Sequence, residues 1–140
     1  MKTILITIIF IVCSLLQADY IRDDSKNIVY DSSLKIVWSD DANISKNWVE
    51  AYTYCQDLDF AGSTDWHLPN FNQLFTLSNK EKYNPAIDDK FKNTKNNIYW
   101  SSTTDMQDTT KAFGVHFTDG SSERIDKGEE KYVRCFKGWN

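Results

Sequence analysis

The cysteine count constrains this chain more than any other feature. Of its three cysteines, Cys13 lies in an apolar stretch near the N-terminus, which leaves Cys55 and Cys135 as a single pair in the rest of the chain. In an oxidising compartment one pair has one possible connectivity. The alternative, a reactive cysteine with a histidine partner, has no local signature in this sequence. We therefore predict a structural disulfide, and closing a loop of about 80 residues is worth roughly 4.5 kcal/mol in the chain-entropy model.

Residues 1–18 have the pattern of a signal peptide. Lys2 precedes an apolar run from Ile4 to Leu16, and Ala18 is the small residue of a cleavage site before Asp19. The run is shorter than the about 20 apolar residues of a membrane-spanning helix. We therefore predict an exported protein that is secreted, periplasmic or at the cell surface, with no membrane span after cleavage. Retention of the segment as an anchor stays open as the alternative.

Length and charge restrict the class of protein further. About 122 residues follow the signal peptide, which is the size of one domain. Residues 1–18 hold one lysine and no acidic residue, so the remaining chain has 15 basic and 20 acidic residues, a net charge of −5. A mildly acidic domain lacks the basic surface that nucleic acids require, so we expect no nucleic-acid partner.

Hydrophobic periodicity predicts an α+β fold. Residues 27–38 read as two short strands around a turn, and apolar residues then recur at helical spacing from Trp48 to Leu58. We place the N-cap of this helix at Ser45 or a neighbour and its end at Gly62. Strands are predicted at "IYWSST", "KAFGVHF", "SSERIDK" and "KYVRCFK", the last as one continuous strand. Strands, two helices, a long loop and further strands indicate two helices with a small antiparallel sheet.

The stretch "STDWHLPNFNQL" (63–74) predicts the start of the second helix. Pro69 favours an extended conformation for the residue before it, so no helix precedes it. Asn70 and Gln73 have the spacing of a capping box, and the helix is predicted to end near Asn79. Trp66 and Leu68 are predicted as core anchors of this lead-in. His67 has no base–nucleophile or metal-ligand companions, so we interpret Asp65-Trp66-His67 as architecture.

Five motifs in order resemble a known family. They are Trp48, Ala51, Cys55 and Leu58; then Gly62, Asp65, Trp66, Leu68 and Pro69; then Tyr99 to Thr103; then an aromatic strand with Asp-Gly; then Val133 to Cys135. In this order the chain resembles the Lcl C-terminal domain family over residues 27–137. That family is named for the terminal domain of a bacterial collagen-like adhesin that binds sulfated glycosaminoglycans. The resemblance implies a C-type lectin-like fold, related to formylglycine-generating enzymes, on a secreted or surface-exposed protein.

This chain departs from the family at two points. His67 stands where the family usually has arginine, and the net charge is acidic, whereas an anionic polysaccharide prefers a basic surface. Glycosaminoglycan binding is therefore not carried over. The motif residues that we expect to be structural are Trp48, Asp65, Trp66, Leu68, Pro69 and Trp100.

Two segments are candidate surface sites. Residues 80–97 form a long polar loop with five lysines against three acidic residues, and Lys90, Lys92 and Lys95 are its candidate ligand contacts. Asn43 begins the sequon Asn-Ile-Ser and is a candidate glycosylation site.

We predict an exported, non-enzymatic binding or adhesion module that recognises a glycan or a surface protein. We expect no catalytic residue, no metal and no cofactor, because no catalytic motif or ligand cluster is present. The alternative is an enzyme, or an enzyme accessory, related to the formylglycine-generating fold.

Overall fold

The computed structural model describes residues 19–41 and 44–140. In these residues two helices and nine strands follow one another along the chain. The elements are β1 (Tyr20–Asp23), β2 (Ile28–Asp31), β3 (Ile36–Ser39), β4 (Ser45–Lys46), α1 (Trp48–Asp57), α2 (Phe71–Phe75), β5 (Ile98–Thr104), β6 (Lys111–His116), β7 (Ser121–Asp126), β8 (Lys131–Tyr132) and β9 (Phe136–Gly138).

The described strands form two sheets. The first has the order β1-β2-β3-β9 and is antiparallel. The second has the order β4-β8-β5-β6-β7, and within it β5 and β8 run parallel. The predicted α+β class with two helices is confirmed, but the strands divide between two sheets instead of forming one. The C-type lectin-like label stays a prediction.

The hairpin of β2 and β3 follows from the turn chemistry of "DSSL". The Asp31 carboxylate accepts hydrogen bonds from the backbone N–H of Ser33 (3.0 Å) and of Leu34 (3.1 Å), which closes an Asx turn. The indole N–H of Trp38 donates to the same carboxylate from the opposite strand. A buried acidic side chain thus has partners on both sides of the turn, as a buried polar group requires.

The N-cap of α1 lies close to the predicted position, whereas the C-terminal end of the helix differs from the prediction. Asn47 is the N-cap, and its side-chain oxygen accepts from the Glu50 N–H at 3.0 Å. Ser45 does not cap the helix because it belongs to β4, which pairs with β8. The helix ends at Asp57 with Leu58 as its C-cap, before Gly62, which instead takes a positive φ of 78° in the tight turn that follows.

The start of α2 is as predicted, but its end is not. Asn70 and Gln73 form the complete capping box. The helix spans only Phe71–Phe75 and stops before the predicted end at Asn79. Asn79 donates its backbone N–H to the carbonyl of Ala86 at 2.8 Å, which draws the chain out of the helical path.

The predicted single strand "KYVRCFK" is two strands. Lys131–Tyr132 pairs within the second sheet and Phe136–Gly138 within the first. The three residues between them cross from one sheet to the other and are buried. One of the three is Cys135, and another is Arg134, whose side chain enters a buried ion pair. These contacts interrupt the ladder that an uninterrupted strand would need.

The core consists of two apolar clusters on either side of β5. Successive side chains of a strand point to opposite faces, so Tyr99 and Trp100 enter different clusters. The cluster around Trp100 contains Trp66 and the half-cystines. In the described part of the chain, neither helix has the length and apolarity needed to cross a membrane.

Candidate functional site

The disulfide predicted from the cysteine count is confirmed. Cys55 on α1 is bonded to Cys135, immediately before β9, with a Cα–Cα distance of 5.6 Å. Both half-cystines are buried. The bond therefore ties the first helix to the edge strand of the first sheet.

The lead-in to α2 is anchored by Trp66. Its side chain is 1% exposed, and its indole N–H donates to the carbonyls of Phe60 and Ser63, each at 3.1 Å. Leu68 and Pro69 are also buried. The apolar contacts and the satisfied indole nitrogen together fix the direction in which the chain enters α2.

The other motif residues lie around this anchor. The indole N–H of Trp100 donates to the carbonyl of Lys46, and that of Trp48 donates to the carbonyl of Ser101, both at 2.9 Å. Asp65 is exposed, and its carboxylate lies 3.1 Å from Nε2 of His67.

His67 contributes mainly through its backbone. Its N–H and C=O both bond to Phe136, at 2.8 and 2.9 Å, while its side chain is half exposed. This pairing attaches the lead-in to β9.

A groove opens over this lead-in, between α1 and the first turn of α2. It encloses about 320 Å³, at the lower end of the roughly 300–1,000 Å³ of small-ligand sites. We call it the carboxamide groove. Its lining residues are Tyr52, Gln56, His67, Leu68, Asn70, Gln73, Ser102 and Phe136.

The amide groups of the groove are oriented by the capping box. The side-chain oxygen of Asn70 accepts from the backbone N–H of Gln73 at 2.8 Å, and that of Gln73 accepts from the N–H of Asn70 at 2.9 Å. Each carboxamide has one oxygen and one NH₂ group. Because both oxygens are used by the backbone, the two NH₂ groups are left as donors for a ligand.

The opposite wall comes from α1. Tyr52 and Gln56 are four residues apart, so they lie one above the other on a single helix face. This face adjoins the buried stripe of Ala51 and Cys55. Tyr52 is 43% exposed, so its ring is accessible at the groove.

The disulfide lies beneath the groove and joins its two sides. Gln56 follows Cys55 in the chain, and Phe136 follows Cys135. A covalent bond thus holds the α1 wall against the β9 side. The backbone N–H of Ser102 also donates to the carbonyl of Pro69 at 2.8 Å, which fixes the second sheet to the lead-in.

The groove carries almost no charge. None of its eight lining residues is a lysine, arginine, aspartate or glutamate. The charged group tied to it by a direct contact is the Asp65 carboxylate, on the His67 ring. The arrangement offers hydrogen-bond donors and acceptors beside aromatic rings, with no fixed cation.

The predicted ligand loop, residues 80–97, is packed against the first sheet. Lys90 and Lys92 line a separate cavity of about 450 Å³ with Arg22 and Asp24, whereas Lys95 does not line it. The Lys92 ammonium lies 2.8 Å from the Asp24 carboxylate. Hydrogen bonds from Lys92 and Arg22 lower the pKa of Asp24. The positive charge of this loop is therefore partly neutralised by its neighbours.

A buried ion cluster holds the loop, and sequence reasoning missed it. The Asp40 carboxylate accepts from Arg134 at 2.7 Å and Arg22 at 2.5 Å, and from the backbone N–H groups of Lys92 (2.9 Å) and Asn93 (3.1 Å). Asp40 is 1% and Arg134 2% exposed. One sequence feature does indicate it: an arginine stands between Val133 and Cys135 in an apolar segment. A charged side chain that is buried needs a partner of opposite charge, so this position predicts a buried ion pair.

Asp41, next to the buried pair, has an unusual environment. Burial raises the pKa of its carboxyl group. Among residues 19–41 and 44–140, neither Oδ1 of Asp41 nor Nε of Arg134 has a hydrogen-bond partner. The proton of Asp41 is therefore held more tightly in the folded protein than in a free aspartate.

Two predictions fall on residues that the structure does not describe. The signal peptide, residues 1–18, and the candidate glycosylation site, Asn43, lie outside the described residues. Within the described ranges, no group of three or more His, Cys, Asp and Glu side chains is arranged to hold a metal ion.

Comparison with known proteins gives the family. No curated protein matches the chain. The Lcl C-terminal domain matches residues 27–137, which include both half-cystines, the lead-in to α2 and every residue of the carboxamide groove. The chain belongs to the Lcl C-terminal domain family.

Proposed function

We propose that this protein is an exported, non-enzymatic recognition module that binds a glycan or a surface protein through the carboxamide groove. The observation that carries the proposal is the capping box, which fixes the side-chain oxygens of two carboxamides that line a concave surface. Small-ligand sites are typically preformed concavities with a few placed polar groups. Here the polar groups are held by the same hydrogen bonds that start α2.

The scaffold of the groove supports a binding role. Its walls are joined by the disulfide and by the backbone pairing of His67 with Phe136. A site whose supporting elements are already fixed loses little conformational entropy when a ligand binds.

Export is supported by the same disulfide. Disulfides persist in oxidising compartments and are rare in the reducing cytosol. A pair of buried half-cystines that closes a long loop is therefore compatible with a protein outside the cytosol.

The non-enzymatic part of the proposal rests on the use of the cysteines. The alternative, an enzyme of the formylglycine-generating type, uses reactive cysteines. In the described ranges both cysteines are bonded to each other, and a disulfide sulfur is not the thiolate that such chemistry requires. The groove itself offers amides and hydroxyls, which suit recognition.

The lysines of residues 80–97 are the other candidate surface. An anionic partner at Lys92 would have to displace Asp24, which already pairs with it. Ion pairs between exposed side chains are weak, so this displacement is feasible. The two surfaces involve different residues and are separable by substitution.

The test is attachment of the purified exported protein to bacterial and host cell surfaces. Tyr52→Ala and Gln56→Ala remove one groove wall, and both residues are exposed, so the melting temperature changes little. We expect these variants to lose attachment at least tenfold. Thr53→Ala, on the same helix but outside the groove, is the matched control.

A variant in which Lys90, Lys92 and Lys95 are all replaced by serine tests whether the loop is the binding site. If the two groove variants attach fully and the lysine variant loses attachment, the binding site is the loop and not the groove. Loss of attachment in the groove variants alone supports the groove as the binding site.

A further inference from the structure

We propose that the carboxamide groove binds an uncharged, hydroxyl-rich sugar ring, such as a neutral pyranose residue of a glycan. This inference rests on the proposed function, in which the groove is the binding site. It names the class of ligand, and it excludes sulfated and carboxylated sugars as the preferred occupants.

The lining of the groove has no lysine or arginine to bind an anionic sugar. An anionic sugar that enters a partly buried site loses hydration, and this cost is large unless a cation compensates it. The lining residues supply no lysine or arginine. Asp65, on the ring of His67, adds a negative charge beside the groove. A sulfate or carboxylate would therefore meet a neighbouring like charge and no counter-ion.

The hydrogen-bonding groups of the groove match the hydroxyl groups of a sugar. The NH₂ groups of Asn70 and Gln73 are donors, because their oxygens are held by the backbone. Gln56 and Ser102 add groups that both donate and accept. Sugar hydroxyls also donate and accept, so each can satisfy one fixed donor and one adaptable partner. A hydroxyl-rich ligand leaves few of these groups without a partner.

The aromatic rings that line the groove suit the apolar face of a pyranose. Tyr52 lines the groove and is 43% exposed. Phe136 is half-buried, and its ring centroid lies 5.8 Å from that of His67. A pyranose ring has a C–H face that packs on aromatic rings while its hydroxyls point sideways. Tyr52 offers both an apolar face and a phenol group for this contact.

The two capping-box residues can be changed at the groove while the start of α2 is kept. Asn70→Asp keeps the oxygen that caps the helix, because aspartate is an equally good N-cap. Gln73→Glu keeps the oxygen that closes the capping box, because glutamate is its other usual residue. Each substitution therefore removes one NH₂ donor and adds a negative charge without disturbing the start of α2.

A matched control exists on the same helix. Asn72 lies between the two substituted positions in sequence, is exposed, and does not line the groove. Asn72→Asp makes the same chemical change outside the groove. Any effect of added negative charge alone appears in this variant.

The experiment is a glycan array probed with the full exported protein, with neutral oligosaccharides in one arm and heparin and other sulfated or uronic-acid glycans in the other. Calorimetric titration of the best neutral glycan follows. We expect neutral binding that keeps its affinity between 50 and 500 mM NaCl, since screening affects charge pairs and not neutral hydrogen bonds. Asn70→Asp and Gln73→Glu should each weaken binding at least tenfold with no loss of melting temperature, and Asn72→Asp should bind as the parent does.

Three outcomes would overturn the inference. The first is a preference for the sulfated arm with affinity that falls steeply with salt. The second is a neutral glycan bound equally well by the two capping-box variants. The third is cell attachment that requires Tyr52 but is abolished by protease treatment of the cells, with no glycan bound in either arm.

The third outcome separates this inference from the proposed function. In that case the groove recognises a surface protein, and the recognition module stands without the sugar. If attachment is indifferent to Tyr52 and no glycan is bound, both the site and its ligand class fail.

Discussion

The buried carboxylate of Asp40 gives the sharpest stability prediction. We expect Asp40→Asn to lower the free energy of unfolding by about 3–5 kcal/mol, the cost of breaking a buried ion pair from one side. Four donors meet this carboxylate: two arginine side chains and two backbone N–H groups. An asparagine turns one acceptor oxygen into an NH₂ group that faces donors. It also leaves Arg22 and Arg134 without their shared counter-charge.

The magnitude should lie in the upper part of that range, because both arginine side chains are buried, at 6% and 2% exposure. Domains of this size have stabilities of about 5–15 kcal/mol, so the loss is a large fraction of the total. The corresponding fall in melting temperature is on the order of 10–20 °C.

The assay is urea unfolding at pH 7, followed by the fluorescence of the buried tryptophans. Asp89→Asn is the matched control, since Asp89 pairs with Lys82 at 2.6 Å but is 93% exposed. Exposed pairs contribute about 0–1 kcal/mol, so the control should unfold close to the parent midpoint. In the double variant Asp40→Asn/Arg134→Met, part of the loss should be recovered, because one unpaired buried cation is gone.

A loss for Asp40→Asn that does not exceed the loss for Asp89→Asn would refute the reasoning. It would mean that solvent reaches the cluster, or that the arginines find other acceptors in the folded protein. Additive losses in the double variant would show that Asp40 and Arg134 do not act as a pair.

Three further predictions concern the disulfide, the lead-in and pH. Replacing Cys55 and Cys135 with alanine should cost about 4.5 kcal/mol in urea unfolding, and thiol titration of the unfolded, unreduced exported protein should find no free thiol. Trp66→Ala should cost about 3–5 kcal/mol and His67→Ala less than about 0.5 kcal/mol, and equal small losses would contradict the anchor. Burial raises the pKa of Asp41, so its contribution to stability is full below about pH 4 and is lost as pH rises through the folded-state pKa. Asp41→Asn should remove this decline in thermal scans from pH 3 to 8, and an unchanged slope would contradict the assignment.

Features set by near neighbours could be predicted from the sequence. The capping box joins residues three apart, and the pairing of the two cysteines follows from their number. In each case the decisive interaction lies within a few residues or has no competitor.

Features set by distant partners could not be predicted. The end of α1 at Asp57 and the split of the final strand depend on which sheet receives each segment. Propensity within "KYVRCFK" favours one strand, and the sheet crossing at Arg134 overrides it. Asp40 and Arg134 are 94 residues apart, and no spacing rule connects them.

The candidate site was predicted only as architecture. Trp66 and Leu68 were expected to be core anchors of the lead-in to α2, and both side chains are buried. The concavity that results depends on Tyr52 and Gln56 from α1 and on Phe136 from β9. A helix face, a lead-in and an edge strand meet there because of the tertiary fold, so the groove has no contiguous sequence signature.

The disulfide also changes what a protease can do to this protein. The loop of residues 80–97 lies between the two half-cystines, so a single cut within it leaves both pieces covalently joined. The product is a two-chain molecule that migrates at full mass on a non-reducing gel and separates only after reduction. The α1 and β9 sides of the groove fall on different pieces of that molecule, yet the bond between Cys55 and Cys135 still connects them. A nicked form therefore keeps both walls of the groove in one covalent unit.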